Sequence, residues 1–380
     1  LTEEQRDYVD TIARSSRALL SILDDILDIA KVEAGHLELR HEPFDLRRVV
    51  EEVGQLLAPR AHRKGCDLIV RFDPSLDSRG LGDEGRVRQI LLNLASNAVK
   101  FTERGYVLLE ARPARIGPAR TIGCRDAEHD PSAAIGVSHG PSTHGDEPPA
   151  VQRWIEIRVV DTGIGISPHD QSRVFDHFSR IRTTLTHREA GTGLGLGIVQ
   201  QLVQLMGGHV GVQSSHGQGS VFRVELPLLP APRTLEQGVE PLPSFAGCGV
   251  IVLDNHVLHR STILQYLRHA GADVVQGGSL EEIHQALSSA PHRDWHAALV
   301  ECSLPAIDSI PEQLARAVAH PIPCILLVAG VALERQVVRP WGFAGTVAKP
   351  IRHEALLRSV KHVIEFGESG SSDPHSMLPV

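Results

Sequence analysis

Two glycine-rich segments constrain this chain more than any other feature of its sequence. In the first, alternating apolar residues end in Asp161-Thr-Gly-Ile-Gly-Ile166, so that an acid stands at a strand end beside two closely spaced glycines. In the second, Gly191-Thr-Gly-Leu-Gly-Leu-Gly197 runs into the helical pattern of Leu196, Val199 and Val203. A fixed carboxylate beside a tight turn is an acceptor that a ligand can approach, and a glycine loop at a helix N-terminus suits phosphate oxygens. Both segments are therefore candidates for ligand binding.

The spacing of these glycines disfavours the two commonest nucleotide-binding loops. No glycine segment completes G-x-G-x-x-G or G-x-x-x-x-G-K-[ST], which argues against a Rossmann cofactor site and against a P-loop. Each segment on its own is more often an ordinary turn than a site. Their interpretation therefore depends on the motifs that accompany them.

The helix predicted over 84–101 has two distinct faces. Its buried stripe consists of apolar residues spaced by three or four positions: Val87, Ile90, Leu91, Leu94, Ala98 and Phe101. A separate face carries polar residues: Arg86, Gln89, Asn93, Asn97 and Lys100. A solvated helix face is the simpler interpretation of this helix alone, although two amides and a cation project from it in one direction.

Taken in order, these motifs resemble those of the catalytic domain of sensor histidine kinases. The segment from Asp83-x-x-Arg86 to Asn93-Leu-Ala-Ser-Asn97-Ala-Val-Lys100-Phe-Thr is similar to the family's N box. The other boxes are matched by Asp161-Thr-Gly163-Ile-Gly165-Ile166 (G1), Phe175-Asp-His-Phe178 (F), Gly191-Thr-Gly-Leu-Gly-Leu196 (G2) and Gly217-Gln-Gly-Ser220 (the last glycine box). The resemblance covers residues 1–229 apart from one insertion.

The resemblance implies an α+β sandwich of the Bergerat type that binds ATP and Mg²⁺. Asp161 would accept a hydrogen bond from the adenine amino group, where guanine offers a carbonyl instead. Asn97 would hold Mg²⁺, with Asn93 and Lys100 near the phosphates, and Ser220 would support the adenine end. Residues 177–195 would form a lid. The remaining ATP-binding residues implied by the boxes are Gly163, Gly165, Ile166, Phe178, Gly191, Thr192, Gly193, Leu194, Gly195 and Leu196.

Residues 1–36 are predicted to be the second helix of a dimerisation and phosphotransfer bundle. Their apolar residues recur at heptad spacing: Val9, Ile12, Leu19, Leu23, Ile26 and Ala30. A single helix cannot bury such a stripe, so we expect a homodimer through the bundle. The family's phosphoacceptor motif, a His followed by an acid and later by Arg-Thr-Pro, does not occur in the sequence. Together with the start at Leu1, this indicates a piece of a longer kinase, which would bind ATP without carrying its phosphoacceptor.

From residue 247 to 366, apolar strands alternate with helix-length segments, which predicts a doubly wound α/β domain of flavodoxin-like topology. The predicted strands are 249–253, 273–275, 297–300, 323–328 and 346–348. This segment resembles receiver domains, which use two acids after the first strand, a phosphorylated Asp after the third, a hydroxyl after the fourth and a Lys after the fifth.

The receiver-like segment lacks much of that chemistry. Asp254 and Lys349 remain, but Leu253 replaces the first acid, Glu301 the acceptor Asp and Val328 the hydroxyl. Losing a carboxylate weakens a Mg²⁺ site, and the extra methylene of Glu301 disturbs the in-line geometry of phosphoryl transfer. We therefore expect a domain that is not phosphorylated, with an ion pair between Glu301 and Lys349. It could serve as a docking or gating element, or it could be a relic without a role.

Three segments are predicted to connect or flank these domains. Residues 113–150 are rich in Gly, Pro, Ser and Ala and have no aromatic residue, so they are interpreted as a flexible insertion in the ATP-binding domain of residues 44–229. Residues 230–245 are interpreted as a Pro-rich linker, and residues 367–380 as a disordered tail.

Composition limits the expected partners and location. The 46 acidic residues outnumber the 38 basic ones, giving a net charge of −8, and aromatics make up only 4%, which argues against a nucleic-acid partner. No apolar stretch is long enough to span a membrane, so we expect a cytoplasmic fragment whose parent is anchored in a bacterial inner membrane. A cognate response regulator, and a histidine phosphotransfer domain, are the expected partners. The alternatives are an ATPase of another class with the same nucleotide fold and an ATP-binding regulatory scaffold without kinase activity.

Overall fold

The computed structural model describes residues 34–114, 153–176, 193–231, 241–289, 294–304, 306–330 and 335–366, and scattered positions between 2 and 32. Nearly all of the predicted insertion 113–150 lies outside the described residues. So do the predicted tail 367–380 and most of the predicted lid 177–195.

The N-terminal domain is a sandwich built on one seven-stranded sheet. Its strands are β1 (Glu42–Asp45), β2 (Cys66–Phe72), β3 (Arg79–Gly82), β4 (Gly105–Pro113), β5 (Arg153–Asp161), β6 (His209–Ser215) and β7 (Gly219–Pro230). They lie in the order β1-β3-β7-β5-β4-β2, and β6 pairs with β7. Among these described strands, β2 and β4 run parallel and the other pairs are antiparallel. The sheet thus places the carboxyl end of β5 beside the start of β7.

In the part of this domain that the structure describes, the helices are α1 (Leu46–Arg63), α2 (Glu84–Phe101), the single turn α3 (Pro168–Gln171) and α4 (Gly195–Leu205). Asp83 begins α2, because its side chain accepts a hydrogen bond from the Arg86 N–H. The apolar stripe of α2 is buried as predicted, except that Phe101 is only half-buried. It packs in one core with apolar residues of α1, α4 and the sheet. The α+β sandwich is therefore confirmed.

The C-terminal domain is a five-stranded parallel sheet with helices on both faces. Its strands are β8 (Gly249–Leu253), β9 (Asp273–Gly277), β10 (Trp295–Glu301), β11 (Cys324–Ala329) and β12 (Phe343–Lys349), in the order β12-β11-β10-β8-β9. The helices are α5 (Val257–His269), α6 (Leu280–Ser289), α7 (Ile310–Val318), α8 (Arg335–Val338) and α9 (His353–Phe366), and two short 3-10 turns span Ile307–Ser309 and Arg339–Trp341. The two faces of the sheet bury separate apolar clusters, which agrees with the doubly wound prediction.

Residues at both ends of the segment interpreted as a linker belong to the two domains. Strand β7 continues to Pro230, and Phe245 is buried in the core of the C-terminal domain, where its N–H donates to the Ala270 carbonyl. The interval between the domains is therefore shorter at both ends than the predicted 230–245.

Four apolar side chains at described positions of the first helix are exposed, whereas Val32 near its end packs against the core of the sandwich. Val9, Ile12, Leu23 and Leu27 are 48–65% exposed. Such a row of apolar residues on a helix surface is typical of an interface that lacks its partner. Among the described helices, none is both long and apolar enough to cross a membrane.

Candidate nucleotide-binding site

Asp161 lies at the end of β5 with its carboxylate almost fully buried. Its Oδ1 accepts a hydrogen bond of 2.9 Å from the Gly163 N–H, and Ser220, its register partner on β7, also bonds to the carboxylate. Burial raises the pKa of Asp161 above its ordinary value, although the bonds from Gly163 and Ser220 act in the opposite direction. The structure therefore holds a desolvated acceptor in one orientation at the edge of the glycine turn.

The glycine turn after Asp161 packs backbone to backbone against the start of β7. A Cβ on Gly165, whose φ is +66°, would lie 2.0 Å from the Ser215 carbonyl oxygen. A Cβ on Gly219, whose φ is +88°, would lie 1.9 Å from the Asp161 carbonyl oxygen. Both the left-handed backbone and this close approach require glycine. The G1 segment and the last glycine box thus form one compact unit.

Two residues that the sequence analysis did not single out hold this unit together. Ser214 Oγ accepts from the Ile166 N–H and donates to the Gly219 carbonyl, both at 2.7 Å. Gln171 Nε2 lies 3.0 Å from the Ile166 carbonyl and 2.8 Å from the Ser214 carbonyl. Neither residue belongs to a box. For Ser214, the sequence signal that could have been used is the alternation along β6. Ser214 follows Val210 and Val212 on the side of the strand that packs on the core.

Helix α2 meets the second glycine segment at Asn93. Its Nδ2 lies 3.4 Å from the Gly195 carbonyl, and a Cβ on Gly195 would stand 3.5 Å from the Asn93 side chain. Gly195 begins α4, and the residue before it, Leu194, provides no side-chain cap, so the α4 N-terminus is suited to an anion. The structure thus brings the N box and the second glycine segment together.

Asn97 and Lys100 follow Asn93 along α2 by about one and two turns, and both are half-buried. Lys100 Nζ lies over the Phe101 ring, 5.0 Å from its centroid. The two side chains continue the same face from Gly195 towards the end of α2. Asn97 and Lys100 thus lie on the face of α2 that contacts the start of α4 through Asn93.

The remaining residues of the predicted polar face have a different use. Arg86 Nη1 lies 2.6 Å and Gln89 Nε2 2.9 Å from Oδ2 of Asp28, in the first helix. Burial of Asp28 opposes its ionisation, but these two bonds bring its pKa below the ordinary value. The polar face of α2, which was predicted as one surface, therefore has two parts. Arg86 and Gln89 at its start hold the first helix, and Asn93, at which its second part begins, lies against α4.

Three of the predicted ATP-binding residues, Phe178, Gly191 and Thr192, lie outside the described residues. Gly193, Leu194 and Leu196 are described and lie at or next to the start of α4. Within the described part of the chain, no group of three His, Cys, Asp or Glu residues is arranged to bind a metal.

Asp254, Glu301 and Lys349 lie together at the carboxyl ends of the strands of the C-terminal domain. Lys349 Nζ lies 3.2 Å from Glu301 Oε1, so the predicted ion pair is confirmed, and 3.3 Å from Asp254 Oδ2. Burial raises the pKa of Asp254. Burial also opposes ionisation of Glu301, but Lys349 and bonds from Ser303 bring its pKa below the ordinary value. One cation is thus shared by two buried carboxylates.

Two family models match this chain. Residues 82–230 match the histidine kinase-, DNA gyrase B- and HSP90-like ATPase family. Residues 1–35 match the His Kinase A (phospho-acceptor) domain. The first match contains Asn93, Asn97 and Asp161, and the second contains Asp28, which contacts α2.

Curated relatives include the sensor histidine kinase GacS of Pseudomonas protegens, 33% identical over 83% of this chain and 31% of its own length. The sensor protein TorS of Escherichia coli is 30% identical over 95% of this chain and 35% of its own length. The chain thus spans about a third of these relatives. The structure of full-length ShkA in complex with AMPPNP is 29% identical with a TM-score of 0.65, over 95% of this chain and 65% of ShkA. These two family matches, together with the relatives, show that the chain belongs to the sensor histidine kinases.

Proposed function

We propose that this chain is the ATP-binding catalytic part of a hybrid sensor histidine kinase, and that its parent phosphorylates a bundle His and starts a phosphorelay. The observation that carries the proposal is the buried carboxylate of Asp161, fixed between Gly163 and Ser220 at the end of β5. An anionic acceptor there suits the adenine amino group and opposes the carbonyl of guanine. The AMPPNP complex of ShkA supports a nucleotide as the ligand.

The residues present fit ATP and Mg²⁺. Asn93 and Lys100 on α2, with the start of α4, would offer donors and positive potential for phosphate oxygens. Asn97 offers a side-chain oxygen of the kind that Mg²⁺ takes together with phosphate. When bound, Mg²⁺ neutralises charge on the phosphates. The remaining predicted contacts, among them Ile166 and Leu196, would line the nucleotide from the glycine segments.

The proposed partners follow from the first helix. Its exposed apolar residues suit a second copy of the chain, so the parent would act as a homodimer through the bundle. The phosphoryl group would pass from the bundle His to a response regulator, directly or through a histidine phosphotransfer domain. We place the described domains on the cytoplasmic side of a membrane-anchored parent.

The test of nucleotide binding is Asp161→Asn in the full chain. The amide adds a donor where the adenine amino group needs an acceptor, so we expect binding of Mg²⁺-AMPPNP to fall below detection by calorimetry. Asp308→Asn, at an exposed position of the C-terminal domain, is the matched control and should bind as the wild type does. Unchanged affinity in Asp161→Asn would refute the assignment.

Two other classes with this nucleotide fold are an ATPase of the chaperone or DNA-repair kind and a regulatory scaffold without kinase activity. The match of residues 1–35 to the phospho-acceptor domain, and the Asp28 contact to α2, favour the kinase over another ATPase. The complete set of Asn97, Asp161 and both glycine segments favours catalysis over a silent scaffold.

We also propose that the C-terminal domain is a receiver-like domain that does not accept phosphate. Lys349 pairs with both Glu301 and Asp254, and Asp254 is the one acid that this segment shares with receiver domains. Few carboxylate oxygens therefore remain to bind Mg²⁺ at these strand ends. We expect no stable adduct in the full chain after incubation with acetyl phosphate and Mg²⁺, as measured by intact mass. A phosphoryl adduct that maps to Glu301 would contradict this proposal.

A further inference from the structure

The C-terminal domain rests directly on the edge of the sandwich. Arg71 of β2 reaches three groups of α5, with its Nη2 2.7 Å from Ser261 Oγ and 3.3 Å from the Leu258 carbonyl, and its Nε 3.1 Å from Thr262 Oγ1. The Phe72 N–H donates to the buried Tyr266 hydroxyl at 2.9 Å. These contacts fix α5 against β2.

A second group of contacts joins α1 to the start of α9. Glu51 Oε1 accepts a 2.9 Å hydrogen bond from the His353 N–H, and Arg47 Nη1 lies 2.7 Å from His353 Nδ1. Because an arginine only donates, Nδ1 is the acceptor and the imidazole is neutral, in keeping with burial that lowers the pKa of His353 to about 3. The two domains therefore share buried polar contacts at two places.

A third contact lies next to the nucleotide site. His256, the residue that begins α5, presents its ring to Tyr106 of β4 in an edge-on arrangement, with centroids 6.0 Å apart and planes at 85°. This is a favourable geometry for an aromatic pair. Tyr106 belongs to the ATP-binding domain and His256 to the C-terminal domain.

Tyr106 is joined in turn to the glycine turn of the site. Its N–H donates to Thr162 Oγ1 at 3.0 Å, and its carbonyl accepts from the Thr162 N–H at 3.2 Å. Thr162 lies between Asp161 and Gly163. The backbone of Tyr106 thus holds the residue that connects the buried carboxylate to the first glycine of the turn.

On the other side, His256 is joined to the charged cluster of the C-terminal domain. Its N–H donates to Asp254 Oδ1 at 2.8 Å, and Asp254 Oδ2 lies 3.3 Å from Lys349 Nζ. An unbroken series of contacts therefore runs from Lys349 to Thr162 and crosses between the domains at the ring contact of His256 and Tyr106. His256 Nε2 also lies 3.8 Å from Asp67 Oδ2 of β2.

We propose that Tyr106 and His256 are a positioning pair, through which the C-terminal domain holds the glycine turn of the nucleotide site in place. Neither residue touches the nucleotide; Tyr106 acts through Thr162. The inference rests on the proposed function in assigning that turn to ATP. Since coupling between two sites is reciprocal, bound nucleotide would in turn hold the C-terminal domain more firmly.

The test uses the full chain and two measurements: the affinity for Mg²⁺-AMPPNP by calorimetry, and hydrogen exchange of the amides at 162–165 without nucleotide. His256→Asn keeps an acceptor to cap α5 and removes the ring, and Tyr106→Leu removes the other ring. We expect each variant to weaken binding about five-fold and to speed exchange at 162–165. The double variant should be no weaker than His256→Asn alone, because that substitution already removes the ring contact that Tyr106→Leu removes.

Two controls separate positioning from general loss of structure. Tyr106→Phe keeps the ring and should retain wild-type affinity. His269→Asn replaces an exposed histidine at the other end of α5 and should change neither measurement. Wild-type exchange at 162–165 in His256→Asn, or additive losses in the double variant, would overturn the inference. If the wild type itself bound no AMPPNP, the proposed function would fail, while the exchange measurement would still decide whether the pair positions the turn.

Discussion

At the scale of single residues, Glu51 is an acid held where its charge is poorly accommodated. Burial raises its pKa to about 7, against the favourable influence of the His353 N–H, Arg47 and Arg352. Asp45 raises the pKa further. Glu51 lies under the contact between α1 and α9, so its protonation state bears on how the two domains fit together.

Glu51 contributes stability at pH 5 that is lost by pH 8. The folded chain holds a proton on Glu51 up to about pH 7, whereas the unfolded chain releases it near 4.5, so this contribution to the free energy of unfolding falls as pH rises between these values. Burial of His353, which lowers its pKa to about 3, acts in the opposite direction up to about pH 6.5, so the contribution of Glu51 has to be measured against a variant. The loss above pH 7 is on the order of 3 kcal/mol. Urea unfolding from pH 5 to pH 8 measures it.

Glu51→Gln isolates this contribution, since the amide oxygen can still accept from His353. We expect the free energy of unfolding of the variant, relative to that of the wild type, to rise as pH increases from 5 to 8. Glu103→Gln, at an exposed position, should follow the wild type. Parallel pH profiles for Glu51→Gln and the wild type would show that Glu51 does not titrate in this range.

At the scale of elements, the junction of β5 and β7 depends on the lack of a side chain at Gly219. An alanine there would require both a φ of +88° and a shift of the backbone around Asp161. We expect Gly219→Ala to lower the free energy of unfolding by about 3 kcal/mol and to weaken AMPPNP binding, because β7 must move away from Asp161.

Gly217 offers a matched control two residues earlier. Its φ is +77°, but no atom lies within 4 Å of the position where a Cβ would be. Gly217→Ala should therefore cost only about 1 kcal/mol from backbone strain and leave binding unchanged. Urea denaturation monitored by circular dichroism compares the two, and equal losses would mean that the contact with Asp161 is unimportant.

Elements with strong local signals were predictable from sequence. The helix over 84–101 was predicted with the correct bounds because Asp83 caps it and its apolar residues repeat regularly. The strands β1, β2 and β3 were missed. Two of them are only four residues long, and β2 is buried at five of its seven positions, so it lacks a clear alternation of apolar and polar residues.

The site residues that belong to sequence motifs could be predicted, whereas the residues that hold the backbone of the site in place could not. Asp161, Asn93 and Ser220 stand in recognisable boxes, and the structure brings Asp161 and Ser220 together. Ser214 and Gln171 each act through two hydrogen bonds to backbone groups, which leave no spacing pattern in the sequence. The contacts of Arg71 with α5 join residues about 190 positions apart, and no local periodicity reports them.

At the scale of the whole molecule, Arg71 connects the two domains more extensively than any other single side chain considered above. Besides its three contacts with α5, its Nη1 lies 3.3 Å from Glu110 Oε1 within the sandwich. Removing this side chain removes its bonds to the Leu258 carbonyl and to two hydroxyls, which still donate to that carbonyl. Arg71→Ala should therefore weaken the association of the domains without disturbing either core.

Calorimetry of the full chain measures this effect. We expect Arg71→Ala to lower the melting temperature of the C-terminal domain and to separate its transition from that of the ATP-binding domain. Arg268→Ala, at an exposed position of α5, should melt as the wild type does. Coincident transitions in Arg71→Ala and the wild type would show that the remaining contacts suffice to couple the domains.

The position of α5 also affects whether the protein associates with other copies of itself. Among the described strands, β2 is the last of its sheet and pairs with β4 alone, so its outer side is an open edge for strand pairing. Open edges of this kind invite pairing with strands of other chains and promote aggregation. Tyr266 and the contacts of Arg71 cover this edge with a helix. The C-terminal domain therefore also protects the ATP-binding domain from self-association, independently of any signal that it transmits.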